Sequence, residues 1–435
     1  MLCRNCAGLI KLLKNLILSD DFLQRHRKNP KDFTRQGKLP FSALLFFLIN
    51  LIKGSYQDEP DHFFKAANRF DIARRIVSKA APAKAGMKLK YEAFIELNSL
   101  LIDYFYKNSR PLKWHGFNLP AVDGTAAQLP GIAATANYLG VRHPRRGDIC
   151  PKARVSQMFG PLNKITDDAV TSPKNEGERE PAAYHFPKLL SDDPVLLDRG
   201  YPAYRLFNLI ISRGPDFCAG IQCKRWKTVR KSFNSGRKEK IMSLPVFPGP
   251  VKQCKEMGME LQPLKLRLTR AELDTGEAVI LITSLPDKDP YPHDLFGEPY
   301  HTRWPVEEDC KTVKQRIETE NFSGRSVLSI YRDFHARVFS KNPASVPAFP
   351  AQSSTDINTY KNRHKYKMNF AQMLSKIKDV IPLFFIRSAD MVLSLISDLH
   401  KIITETVEPV RPGRKYPRNF KNRTGRFNYS YQPAR

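Results

Sequence analysis

The chain lacks an apolar run long enough to cross a bilayer. Its strongest candidate, Phe41 to Ile52, falls short of the roughly 20 residues a spanning helix needs. A buried helix is expected there instead, and nothing resembles a lipid anchor. Cysteine is sparse and odd in number: seven residues, Cys3, Cys6, Cys150, Cys218, Cys223, Cys254 and Cys310, lie scattered along the chain. That excludes the dense even framework of a secreted disulfide scaffold and suits a reducing cytoplasm. Cys3-x-x-Cys6 is half of a zinc site, with no second pair and no close histidine pair to complete the tetrahedron. Lys11, Lys14 and Asp20 interrupt the apolar start, which makes a poor signal peptide. Internal repeats and low-complexity tracts are missing too. Acidic residues are the scarcest relative to need: 43 Asp and Glu face 71 Lys and Arg, a net charge of +28. Such a field draws in polyanions and binds phosphates with counterion release, so nucleic acid is the first partner to consider.

What is present suffices for a folded molecule. A 41% hydrophobic content over 435 residues supports two or three domains and excludes a wholly disordered chain. Residues 41–53 and 91–106 carry apolar positions at helical spacing, so residues 1–110 read as a helical domain, with DNA-end binding or a solvated basic face as equal alternatives. From Leu119 onward short apolar runs alternate with turn residues. Leu119 to Val122, Ala153 to Phe159, Ile165 to Val170, Val195 to Leu197 and Phe217 to Gln222 read as strands, and Tyr204 to Ile211 and Tyr300 to Ile317 as helices. The expected layout is α/β.

About eighty residues separate the fifth strand from the closing helix. They hold a hairpin, Leu264 to Leu268 with Ala278 to Leu285 around Asp274-Thr275-Gly276, and read as an inserted β-rich subdomain, about 224–298. Its first part, Lys224-Arg225-Trp226-Lys227 through Lys240, holds eight basic residues against one acid. Residues 341–409 read as a helical region that begins with a Pro/Ser-rich linker, Asn342 to Ser354. Residues 410–435 form a tail with eight Lys or Arg and no acid, either a solvated segment or an arm that grips phosphates. Pro60, Pro82 and Pro181 fall in helical stretches, where an interior proline costs about 3 kcal/mol unless it opens the helix.

Three acids stand out. Asp123 closes the apolar run Leu119 to Val122 and precedes Gly124-Thr125; Asp198 closes Val195 to Leu197 and precedes Arg199-Gly200-Tyr201. A carboxylate at the carboxyl end of a strand lies where open α/β sheets bind ligands, although a lone Asp there is as readily a turn or cap residue. Farther on, a helix from Tyr300 would bring Arg303, Glu307, Lys311 and Lys314 to one face, at spacings that suit a metal and phosphates or a solvated lattice of ion pairs. Glu308 and Asp309 would turn off that face.

These motifs together resemble the DDE transposases of insertion-sequence family four. The resemblance rests on Asp123-Gly124-Thr125, on Asp198-Arg199-Gly200-Tyr201, and on the signature Y-x2-R-x3-E-x6-K, met by Tyr300, Arg303, Glu307 and Lys314. It covers roughly residues 110 to 340. It implies an RNase H-like core within a catalytic domain 111–340, with Asp123, Asp198 and Glu307 holding two Mg2+ ions, or Mn2+ in their place. It further implies cleavage of transposon ends and strand transfer into target DNA. Tyr300, Arg303, Lys311 and Lys314 would meet phosphates near the cleaved end, with Lys224, Arg225 and Lys227 as further contacts; Trp304 and Trp226 would stack on bases or serve as core aromatics. Partners would be double-stranded DNA, as terminal inverted repeats and target, and a second copy in a synaptic homodimer, in the cytoplasm at the nucleoid. The competing expectations are a catalytically silent DNA-binding relative or repressor, and a nuclease without strand transfer.

Overall fold

A computed structural model describes residues 2–50, 55, 57–142, 150–189, 193–223, 226–249, 251–272, 278–285, 291–303, 322–359, 366–378 and 380–409. The chain divides into two compact units: one from Met1–Pro111, Ala127–Ala153 and Thr312–Arg435, the other from Leu112–Ala126 and Arg154–Lys311.

The first unit is mainly helical. Helix Leu2–Leu18 packs on Ala389–Glu405, and Glu92–Asn108 packs on the long helix Val327–Thr359. Asn342 Nδ2 donates to Asn98 Oδ1 at 2.6 Å across the latter pair, Phe46 stacks on Phe385, and Lys378 binds Glu59 at 2.8 Å. Residues from the two ends of the sequence therefore share one core, where the sequence suggested separate regions at 1–110 and 341–409. An amphipathic helix cannot bury its apolar stripe alone, and here the partner comes from hundreds of residues away. The expected linker at 342–354 is likewise corrected: the backbone is helical through Thr359. Ser340, Lys341, Asn342 and Ser345 are buried, so tertiary packing around them offsets the amide that Pro343 removes. Pro60, Pro82 and Pro181 each stand third in their helices, Asp58–Asn68, Ala80–Gly86 and Arg179–Ala183. First-turn amides have no partner within a helix, so these prolines cost little.

Among the described residues nine strands form one mixed sheet: β1 (Ala121–Gln128), β2 (Val141–Arg142), β3 (Cys150–Gly160), β4 (Ile165–Pro173), β5 (Val195–Leu197), β6 (Phe217–Ile221), β7 (Glu239–Leu244), β8 (Leu264–Glu272) and β9 (Ala278–Thr283). The order is β2-β3-β1-β5-β6-β9-β8-β7, with β4 also on β3. β1, β5 and β6 run parallel; β9, β8 and β7 follow antiparallel. The inserted strands extend the same sheet, because β9 pairs directly with β6. Without β9 the edge of β6 would present unpaired amides and carbonyls.

Alternation along the strands sorts side chains onto two faces. Val122, Val195, Leu197, Phe217, Ala219, Ile280 and Ile282 share one core with helix Tyr204–Ser212. Ala121, Leu196, Cys218, Val279 and Leu281 share the other with Trp114, Phe296 and Tyr300.

Candidate active site

The parallel register of β1 and β5 pairs Ala121 with Leu196 and Val122 with Leu197. One further step sets Asp123 level with Asp198 on strands that lie about 4.8 Å apart. Asp123 follows Ala121 by two residues within β1, so alternation places it on the face that carries Tyr300, and Asp198, just past β5, meets Arg303 there. Asp198 follows the last residue of β5, as the sequence suggested. Asp123 does not close its strand: β1 continues to Gln128, since on its other side it pairs with β3. It is the short β5 that makes Asp123 a neighbour of the strand end.

The third contributor to this face is the short helix Gly297–Thr302, which follows the turn His293–Phe296. Trp114 Nε1 donates to Glu298 Oε2 at 3.3 Å in its first turn, and Phe296 and Tyr300 are buried in the core below. Arg303 caps the helix; its amide donates to the carbonyls of Pro299 and Tyr300. Its guanidinium, 3% exposed, lies 5.4 Å from the centre of the Tyr300 ring and 3.3 Å from Asp198 Oδ1. Burial pushes the Tyr300 hydroxyl up from its ordinary range, and the Asp198 charge adds to this; Arg303 and a hydrogen bond from Arg199 oppose it. Tyr300 fits only because β6 has a glycine beneath it: a Cβ at Gly220 would stand 2.2 Å from Tyr300 Oη and 2.8 Å from Cζ.

Asp123, Asp198, Tyr300 and Arg303 therefore gather at one end of the parallel strands, where open α/β sheets bind ligands. Glu307, Lys311, Lys314 and Trp304 lie outside the described residues, as do Lys224 and Arg225. Lys227 is exposed as the first residue of helix Lys227–Asn234. Trp226 caps that helix and packs edge-on against Phe207, 6.5 Å between ring centres, in the opposite core. That is the packing alternative rather than an open stacking platform. Among the described residues no three of His, Cys, Asp and Glu form a group able to hold a metal ion, so the two aspartates offer a partial donor set. Arg199, whose side chain reaches the Tyr300 hydroxyl, belongs to the motif at 198–201 but received no role from the sequence.

A second polar constellation has the composition of a nucleophilic triad. Ser156 Oγ lies 2.9 Å from His185 Nε2, and His185 Nδ1 lies 2.7 Å from Asp168 Oδ2. Ser156 and His185 are buried, which denies a substrate access and makes the group a clamp between β3, β4 and the turn Phe186–Lys188.

The sequence matches no protein-family model and no curated protein. Among solved structures it is similar to a piggyBac transposase in a synaptic complex with hairpin DNA. The two share 11% identity at a TM-score of 0.43, over 93% of this chain and 87% of the other, a likeness too slight to bear on the site. Among the described residues no helix is long and apolar enough to cross a membrane.

Proposed function

We propose that this chain is a DNA transposase of the DDE type, resembling insertion-sequence family four, with Asp123, Asp198 and Glu307 as its acids on an RNase H-like core. The observation that carries the reading is the parallel register of β1 and β5, Ala121 with Leu196 and Val122 with Leu197, which brings the residues that follow, Asp123 and Asp198, side by side where β5 ends. The order β4-β3-β1-β5-β6, in which a four-residue turn joins β3 to β4 and the last three strands run parallel, supports the core assignment. Arg303 and Tyr300 of the Y-R-E-K signature stand on the same face, with Arg303 on Asp198. Glu307 follows Arg303 by four residues and enters from the sequence alone.

The donors fit a hard divalent cation: oxygens only, with Asp198 39% exposed and already facing a cationic partner. Asp123 and Asp198 would hold Mg2+ or Mn2+ together with Glu307. When bound, a pair of such ions activates the attacking oxygen and stabilises the leaving one. The protein's own groups do the positioning. Arg303, buried and braced by the Tyr300 ring, holds Asp198, and its planar fork would meet a phosphate near the scissile bond only once that pair opens. Lys227, Lys311 and Lys314, with Lys224 and Arg225, would supply positive charge along the DNA backbone. Water attacks phosphorus at the transposon end and the 3′ oxygen leaves with a proton; that hydroxyl then gives up its proton and attacks a target phosphodiester, displacing the target's 3′ oxygen, which leaves as a hydroxyl. Joining two ends calls for two copies of the chain.

The test uses the full chain, Mg2+ or Mn2+, and a plasmid carrying the gene with its native flanks. Expected are cuts at the element's ends and joined products, with Asp198→Ala binding DNA but not cutting it. Wild-type protein that retards the DNA and leaves it intact would instead be a silent relative or repressor. Cutting with no joined product would point to a nuclease.

A further inference from the structure

We infer that the segment Glu176–Glu180, which runs from just after β4 into the start of helix Arg179–Ala183, is a strap that positions the two aspartates from behind the sheet; this rests on the function proposed above. From β3, Arg154 Nε donates to the Glu176 carbonyl at 3.1 Å and Nη1 to Glu178 Oε1 at 2.7 Å. Arg179 donates twice to one atom, the Gly200 carbonyl, from Nε at 3.2 Å and Nη2 at 2.8 Å. Arg205 Nη2 meets Glu180 Oε1 at 3.1 Å and holds the far end. Between these ties the Glu178 side chain runs under both acid-bearing segments, β1 at Gly124 and the turn at Gly200. Its Cγ lies 3.8 Å from where a Cβ on Gly124 would stand, and its Oε2 3.7 Å from the same point on Gly200.

The geometry separates this strap from the cation donors. Gly124 and Arg154 alternate with Asp123 and Val155, on the face of Val122 and Met158. Glu178 is therefore behind the sheet and no ligand. Its consequence is mechanical. Two carboxylates on neighbouring strands repel; Arg303 offsets this at Asp198, and the repulsion that remains would spread the turn Asp198-Arg199-Gly200, which only three residues of β5 anchor. Two guanidinium bonds to Gly200, braced through Glu178 and Arg154, keep the turn at its position beside β1. The ordering is done before the cation arrives and is not charged against its binding. Arg179 and Glu178 are thus positioning residues for Asp198.

The experiment measures Mn2+ binding by calorimetry, thermal melting, and plasmid cleavage against Mn2+ concentration, on the full chain. Arg179→Gln is expected to weaken Mn2+ binding about tenfold, as loss of an outer support to a ligand does. DNA affinity should be unchanged, and cleavage should recover at high Mn2+. Arg179→Lys should fall between the two. Glu178→Gln, which keeps the backbone ties, is expected to shift Mn2+ affinity in the same direction by less, and serves where Arg179→Gln does not fold. Unchanged Mn2+ affinity in folded Arg179→Gln and Glu178→Gln overturns the strap while leaving the proposed function standing. Wild-type protein that binds Mn2+ no better than Asp198→Ala overturns both.

Discussion

At Gly220 the requirement is steric. The sheet face under Tyr300 has room for a hydrogen and not for a methyl group, since the added carbon would meet Oη, Cζ and also Arg199 Cγ at 3.0 Å. Gly220→Ala should displace the Tyr300 ring and with it the brace under Arg303. The expected loss is about 1–3 kcal/mol, typical of overpacking. The check is a lower urea midpoint followed by tryptophan fluorescence, with cleavage lost more steeply than folded protein. Asp168 poses an electrostatic question. Burial alone would raise its carboxyl, but the hydrogen bond and charge of His185 and the Lys188 ammonium at 2.6 Å bring it from 3.8 down to about 2. A carboxylate with a depressed folded value stabilises above its unfolded value, and that stability is lost as pH falls. The contribution, about 2 kcal/mol, should be complete above about pH 4 and fade toward pH 2. Asp168→Asn should flatten the fall in stability across that window; an unaltered acid limb would mean the clamp contributes nothing.

Among the elements, the strands of the insertion matter to the site through one buried cation. Arg267 of β8 is almost fully buried; Nε donates to Glu239 of β7 at 3.0 Å, and Nη1 to the Tyr291 carbonyl at 2.7 Å. Its guanidinium also lies 5.4 Å from the Phe296 ring centre, directly before helix Gly297–Thr302. The edge of the sheet thereby grips the base of the helix that carries Tyr300. Removing one partner of a buried ion pair costs more than the pair contributes. Glu239→Ala should cost about 3 kcal/mol, and the double variant Glu239→Ala/Arg267→Met should recover part of it. A double variant as unstable as the single one would contradict this account.

For the whole molecule the dominant quantity is charge. A net +28 spread over 435 residues is far above what folding needs, and it acts on any polyanion within a Debye length. If the chain neutralises six or more phosphates, duplex affinity should fall by about 10^3 or more between 50 and 200 mM salt. Fluorescence titration at stepped ionic strength measures this directly, and a flat salt dependence would argue against backbone binding.

Local information in the chain was enough for β3, β4, β5 and β6, the helix from Tyr204 and the hairpin of β8 and β9, though not for β7; period and turn chemistry act over a few residues. Asp123, Asp198, Tyr300 and Arg303 stand out in the sequence by residue type and neighbour, while strand register and the helix after Phe296 decide where they lie. Pairings between distant segments left no such local mark. The union of the two ends of the chain in one helical core, the helix carried through Pro343, the joining of the inserted strands to β6 and the strap behind the aspartates each depend on which apolar face or donor meets which partner. Many partners satisfy the same local pattern, and only the burial and hydrogen bonding of the folded chain select among them.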